Sequence, residues 1–193
     1  MCIRDRISEA IAAARDGGCV QIALLHCISA YPAPAEAYNL ATIPDMARRF
    51  GVVAGLSDHT LGIAVSIAAV AVGAALIEKH FTDARANGGP DAVFSLEPPE
   101  LKEMCAATRV AFAALGRPNY ERPEIEKGNL VFRRSLYVVE DIAAGERFTE
   151  NNVRSIRPGY GLPPDRIRDF LGRLAPKNVK RGTAVTEEMI PKS

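Results

Sequence analysis

Two histidines close two short apolar runs. His59 ends Val52-Val53-Ala54-Gly55-Leu56-Ser57-Asp58, and His80 ends Ala74-Ala75-Leu76-Ile77-Glu78-Lys79. Between them residues 61–73 are almost wholly apolar, long enough for a buried helix. The pattern reads as strand, helix, strand, with a histidine at the carboxyl end of each strand. Parallel strands ending in polar residues are where α/β barrels assemble active sites. Two imidazoles brought together there can hold a divalent metal. The alternative for a strand-end histidine is a polar cap with no ligand.

Side chains alternate along a strand. Ser57 and His59 therefore share a face, as do Glu78 and His80, while Asp58 and Lys79 face away. If the strand ending near Cys27 continues, Cys27, Ser29 and Tyr31 share a third face and His26 points oppositely, as a satisfied structural histidine. The resulting constellation at the strand ends is Ser29, Tyr31, Ser57, His59, Glu78 and His80. Glu78 has two readings: a partner of His80 or base for water, or half of a buried ion pair with Lys79.

The elements that must position these residues follow from pattern and punctuation. Residues 7–15 read as a helix stopped by Gly17-Gly18, residues 21–27 as a buried strand, and residues 29–39, with Pro32 and Pro34, as a loop. Residues 44–50 form a helix whose first turn tolerates Pro44. A last helix runs from about residue 99 to residue 115 and stops at Gly116. This βαβαβ order predicts parallel strands with right-handed crossovers. Three strands cannot close a barrel, so the first domain reads as truncated. Residues 1–6, MCIRDR, read as a non-native run and are set aside.

Composition narrows the class. The 193 residues are 48% hydrophobic and 24% charged, ordinary for a soluble globular chain. No apolar run is long enough and free enough of charge to span a bilayer, and no signal peptide is visible. The four cysteines lack paired spacing, which predicts reduced thiols and a cytoplasmic protein. A net charge of +1 implies no nucleic-acid partner. Charge is nonetheless uneven: residues 131–193 carry twelve Lys+Arg against eight Asp+Glu. That basic excess suits an anionic small substrate, or is simply a solvated face.

Residues 117–129 are polar, contain two prolines and lack periodicity, so they read as a linker; the domain division is 1–118, a linker at 119–130, and 131–193. Beyond the linker an internal repeat aligns residues 141–153 with residues 178–190, both following I/V-x-x-G-x-x-F/V-T-E-x-x-V/I. The glycine makes a turn between short strands. Thr149 and Thr186 read as N-caps. Duplication of such a unit predicts a compact pseudo-twofold β module.

These motifs together resemble the sialic-acid synthase family. The resemblance rests on Leu24-Leu25-His26-Cys27 with Ala30-Tyr31-Pro32-Ala33-Pro34, then Gly55-Leu56-Ser57-Asp58-His59-Thr60-Leu61-Gly62 and Ile77-Glu78-Lys79-His80-Phe81-Thr82. It continues through Gly89-Pro90-Asp91 and Ser95-Leu96-Glu97-Pro98 to Arg157-Pro158-Gly159-Tyr160-Gly161. It covers nearly everything after Ile7. It implies the fold: the last three βα units of a TIM (β/α)8 barrel followed by a small SAF (antifreeze-like, β-clip) domain. Ser29-Ala30-Tyr31, Phe94-Ser95-Leu96-Glu97-Pro98, Phe132-Arg133-Arg134-Ser135-Leu136 and residues 154–162 resemble the pseudaminic acid branch. The N-acetylneuraminate and legionaminate synthases are the alternatives within the family. A non-catalytic carbohydrate-binding module built around the SAF domain is the alternative outside it.

The resemblance implies a transferase of carbohydrate biosynthesis that condenses phosphoenolpyruvate with an N-acetylated amino sugar, a 2,4-diacetamido-2,4,6-trideoxy hexose in the pseudaminic branch. The products are a nine-carbon 2-keto acid and phosphate. C3 of phosphoenolpyruvate attacks the open-chain aldehyde, water adds at C2, and the tetrahedral intermediate expels phosphate. The resemblance implies that His59 and His80 bind the divalent metal, with open positions suiting Mn²⁺ or Mg²⁺, and that Ser29, Tyr31 and Ser57 hold phosphoenolpyruvate. It implies that Asp91 contacts sugar hydroxyls, the alternative being a turn-stabilising aspartate. It implies that Arg157 reaches the sugar site of the neighbouring subunit in a domain-swapped homodimer, the alternative being an idle exposed arginine. The family's phosphate-binding lysines belong to the first barrel strands, which this chain lacks, so the chain alone is expected to be inactive.

Overall fold

The computed structural model describes residues 3–189. It divides into two compact units, residues 1–118 and 119–193.

The first unit opens with helix α1 (Ile3–Asp16). The helix begins at Ile3, so residues 3–6, set aside on their composition, continue it; Met1 and Cys2 lie outside the described residues. Then follow β1 (Ala23–Cys27), α2 (Thr42–Phe50), β2 (Val53–Asp58), α3 (Ala64–Ala71), β3 (Ile77–Lys79) and α4 (Pro98–Leu115). The strands are parallel, in the order β1–β2–β3, the alternation that builds an α/β barrel. β1 starts two residues later than periodicity indicated. Helix α3 is shorter than its apolar run, because Gly62 and Gly73, both at positive φ, lie outside it.

One face of the sheet carries Leu24, Ala54, Leu56 and Ile77 into a core with Tyr38, Ile43, Met46 and Ala69. Helix α2 ends at Gly51, whose φ of 62° suits a residue without Cβ and whose N–H bonds to the Ala47 carbonyl. Helix α4 begins with Pro98 and Pro99 behind a reciprocal Glu97/Glu100 capping box. Gly55 passes close to the residue that precedes β3: a Cβ there would lie 2.4 Å from the Leu76 carbonyl oxygen.

The second unit pairs β4 (Ser135–Val138) antiparallel with β5 (Val153–Ile156) over a core of Leu136, Val138, Phe148, Phe170, Val179 and Val185. The stretch read as an aperiodic linker is not structureless: residues Glu124–Phe132 form a 3-10 helix, a conformation without the 3.6-residue stripe that marks an α-helix.

The repeat folds as a pseudo-twofold pair. Ile142 and Val179, equivalent positions, exchange both backbone hydrogen bonds, at 2.9 and 2.8 Å. Asn178 accepts from the Ala144 N–H at 2.7 Å, and its equivalent Asp141 accepts from the Arg181 N–H at 2.8 Å. Gly145 and Gly182 turn with φ of 82° and 86°. The capping expectation holds at Thr149, whose hydroxyl accepts from Asn152. At Thr186 the turn that follows, Glu187–Met189, is 3-10 and is closed by the backbone bond from Met189 to the Thr186 carbonyl. Ile190, the last position of the repeat, lies outside the described residues.

Candidate metal and substrate site

The parallel register sets Cys27 beside Ser57 and Ser57 beside Glu78. Each strand end projects its next-but-one residue onto the same face, which brings His59 and His80 together. Their ring centres are 5.2 Å apart and the planes meet at 76°.

The hydrogen bonds around the rings decide which nitrogens face outward. His59 Nδ1 lies 2.8 Å from the Ile28 carbonyl oxygen. A carbonyl only accepts, so Nδ1 carries a proton, and in the neutral ring the lone pair is on Nε2. Ser57 donates its hydroxyl proton to Glu78 at 2.6 Å, so that proton is not available to His59 Nε2, 3.4 Å away. His80 Nδ1 lies 3.6 Å from Asp91 Oδ2, within ion-pair reach. Both imidazoles thus have Nδ1 turned toward an oxygen acceptor, the arrangement by which metal-binding histidines are oriented.

The backbone of His59 is equally constrained. Tyr38, wholly buried, accepts the His59 N–H at 2.7 Å and donates to the Ser57 carbonyl at 3.3 Å. Burial raises the Tyr38 phenol above its ordinary pKa, while the bond from the His59 backbone opposes that shift. His26 turns away from the site and bonds to the Tyr38 carbonyl, the structural role its orientation suggested.

Aromatic rings close the sides. Tyr31 stacks on His59 at 4.4 Å, and Phe94 packs edge-on to His80 at 4.8 Å. Phe94 is buried at 4% exposure, whereas Tyr31 is 56% exposed. In the sequence Phe94 is one residue of the motif at 94–98 with nothing to mark it as a site wall; its contact joins two loops and has no periodic signature.

Three expectations need correction. The alternation proposed for Cys27, Ser29 and Tyr31 stops at Cys27, because β1 ends there and the Ala30 N–H turns back onto the Ile28 carbonyl. Tyr31 still reaches the histidines, but exposed Ser29 makes no hydrogen bond to them among the described residues. The alternative pairing of Glu78 with Lys79 fails, since adjacent strand residues face opposite sides. Glu78 bonds to Ser57, and Lys79 lies behind the sheet, 3.1 Å from buried Asp58. Burial pushes the Lys79 ammonium below its ordinary pKa, with Asp58 opposing the shift. The turn-stabilising alternative for Asp91 is met by its backbone rather than its carboxylate: the Asp91 carbonyl accepts from Ser95 N–H and hydroxyl, leaving the side chain half exposed toward His80.

Asp91 rides on a loop anchored by Arg85. Its guanidinium bonds to Glu100 at 2.6 and 2.9 Å and to the Ser95 carbonyl at 3.0 Å. The Arg85 guanidinium and the Glu97 backbone N–H hold the Glu100 carboxyl down to about 2. In the second unit, Arg157 is exposed and opens a loop clamped by Ser135, which donates to the Pro158 carbonyl at 2.7 Å and accepts from Gly161 N–H at 2.9 Å. A Cβ on Gly159 would lie 2.4 Å from the Leu130 carbonyl oxygen, and one on Gly161 2.3 Å from that of Leu136, which accounts for both loop glycines.

Among the described residues, no group of three or more His, Cys, Asp or Glu side chains could enclose a metal ion. Among the described residues the strand ends bring together two imidazole nitrogens, a donor set that would leave most positions of a bound cation to oxygen ligands. Cys19, Cys27 and Cys105 are free thiols, with Cys27 Sγ 3.9 Å from His59 Nδ1. No helix among the described residues is long and apolar enough to cross a membrane.

Residues 1–120 match the NeuB family and residues 133–191 the SAF domain. A pseudaminic acid synthase of Campylobacter jejuni is 43% identical over 163 residues, covering 84% of this chain and 48% of that protein. An N,N'-diacetyllegionaminic acid synthase of Campylobacter jejuni is 42% identical over 167 residues, covering 86% and 50%. The crystal structure of the spore coat polysaccharide biosynthesis protein spsE of Bacillus subtilis superposes with a TM-score of 0.53 at 35% identity, covering 97% of this chain and 58% of that one. The chain spans about half the length of the curated relatives it matches. One family accounts for the whole of the parallel sheet and its strand-end histidines, and the chain belongs to it: the NeuB family, here joined to a SAF domain.

Proposed function

We propose that this chain supplies the metal- and sugar-binding part of a nonulosonic acid synthase of the pseudaminic type. The single observation that carries the reading is the His59–His80 pair, 5.2 Å apart, with both Nδ1 atoms turned toward acceptors. A divalent cation held by the two Nε2 atoms would supply Lewis acidity to the carbonyl oxygen of the open-chain sugar. Glu78, exposed on the site face, is positioned by Ser57 to take a proton from the water that adds at C2. Tyr31 and Phe94 wall the site, Ser29 offers its hydroxyl to the phosphoenolpyruvate carboxylate or phosphate, Ser57 borders the same ligand while its proton stays on Glu78, and Asp91 accepts from sugar hydroxyls. Arg157 acts on the sugar site of a second subunit in a domain-swapped dimer.

The substrates are phosphoenolpyruvate and a 2,4-diacetamido-2,4,6-trideoxy hexose. Identity of 43% to a pseudaminic acid synthase supports this choice, and 42% to a legionaminic acid synthase supports a second reading with the stereoisomeric sugar. A purely binding module has no need of two oriented imidazoles beside a carboxylate.

The test is phosphate release from phosphoenolpyruvate by a chimera that joins the N-terminal half of the Campylobacter jejuni pseudaminic acid synthase to this chain. Release with the pseudaminic precursor, and not with its legionaminic stereoisomer or N-acetylmannosamine, is the expected result. Preference for either of the other sugars overturns the assignment. Mixed dimers of Arg157→Ala and His80→Ala subunits should regain activity if the arginine serves in trans; confirmed dimers without activity overturn that role.

A further inference from the structure

Behind the two histidines lies a buried polar cluster that the reaction does not use. Asp58 and Lys79 immediately precede His59 and His80, and they stand opposite one another in the β2–β3 register. Their side chains are 0% and 2% exposed and meet at 3.1 Å. Asp58 also accepts from Thr60 N–H at 2.8 Å, from the Thr60 hydroxyl at 2.7 Å and from Ser66 of α3 at 2.6 Å. Lys79 donates to the Thr60 carbonyl. Every acceptor of the carboxylate is thereby engaged.

A buried ion pair is a poor source of stability, because desolvation offsets its Coulomb attraction; its best-attested use is to select one register. Register matters here more than usual. β3 is three residues long, and beyond it the backbone pairing with β2 continues only through Leu56 N–H on the Leu76 carbonyl and Ala75 N–H on the Ala54 carbonyl, with Leu96 N–H holding the His80 carbonyl from the other side. A slip of one residue would turn His80 to the helix side and Lys79 to the site face. That slipped pairing would leave the Asp58 carboxylate buried without its cation, which disfavours it.

We propose that Asp58 and Lys79 are positioning residues for the metal site: their ion pair locks β3 to β2 in the one register that presents both imidazoles on the same face. Ser66 extends the lock to α3. This rests on the reading of His59 and His80 as metal ligands.

The experiment is a Mn²⁺ titration of the 193-residue chain. Free Mn²⁺ is followed by electron paramagnetic resonance, and broadening of the His59 and His80 ring resonances by NMR. Wild type should bind, and His59→Ala and His80→Ala should abolish binding. The double variant Asp58→Asn/Lys79→Met removes both charges at similar volume and should keep the fold by circular dichroism. Its Mn²⁺ affinity should fall about tenfold or more, with broadening no longer shared between the two rings. A folded double variant that binds like wild type overturns the inference while leaving the metal reading intact. Wild type without histidine-dependent binding overturns the metal reading and this inference with it. Should the double variant fail to fold, Ser66→Ala removes a single arm of the network; weaker binding is expected, and unchanged binding overturns the role.

Discussion

The Ser57 hydroxyl donates a 2.6 Å hydrogen bond to Glu78 Oε1 across the β2–β3 pair, on the face that carries both candidate ligands. It orients a carboxylate that is otherwise free to swing. In the chimera, Glu78→Gln keeps an acceptor for Ser57 but removes the base. The expected loss in kcat is about 10²-fold or more, with KM little changed. Ser57→Ala should cost less, since the carboxylate remains. Steady-state phosphate release measures both; a Glu78→Gln variant within twofold of wild type removes Glu78 from proton transfer.

Gly55→Ala should disrupt the sheet beneath the site. The added methyl meets the Leu76 carbonyl and Leu25 at 2.4 and 2.7 Å, and a backbone carbonyl cannot step aside as a side chain would. A loss of about 1–3 kcal/mol is expected, by analogy with overpacked cores. Denaturant unfolding checks it; stability unchanged from wild type would mean that β2 and β3 can separate without cost.

Arg85 and Glu100 give the loop of Asp91 a pH dependence. The Glu100 carboxyl lies at about 2 in the folded chain, chiefly through its bond with Arg85. A depressed carboxyl stabilises the fold above the unfolded-state pKa, near 4.3, and that contribution is lost as pH falls toward 2. Carboxyl NMR titration should show Glu100 titrating near 2 in wild type and moving up in Arg85→Ala. An unshifted Glu100 in that variant would assign the depression to the Glu97 backbone alone.

The two halves of the SAF unit should answer alike to equivalent substitutions. Asp141→Ala and Asn178→Ala each strip the acceptor from a turn N–H in the opposite repeat. Both should lower the melting temperature, Asp141→Ala more, because it also loses Lys180 at 2.7 Å. A change confined to one of them would show that the repeats do not share load.

Much of this was legible from residue pattern. Strand alternation put Ser57, His59, Glu78 and His80 on one face, because a period of two survives wherever ladder bonds persist. It failed at Ser29, where the chain leaves the ladder after Cys27 and local turn bonding decides direction. The Asp58–Lys79 pair was invisible because it depends on the register of β3 against β2, which spacing along one strand does not encode. Phe94 escaped for a similar reason: its partners Tyr31 and His80 come from other loops. The 3-10 helix at Glu124–Phe132 has no apolar stripe to announce it. The repeat was visible, since each half carries the same glycine, apolar and Thr-Glu positions, and the paired bonds follow.

The proposed function stands on His59 and His80 together binding a divalent metal through their Nε2 atoms. Its most direct test is an anomalous difference map from crystals of this chain soaked in Mn²⁺. A peak is expected within bonding distance of both Nε2 atoms, absent in His80→Ala crystals. A map with no peak between the two rings, or with Mn²⁺ bound only elsewhere, would contradict it.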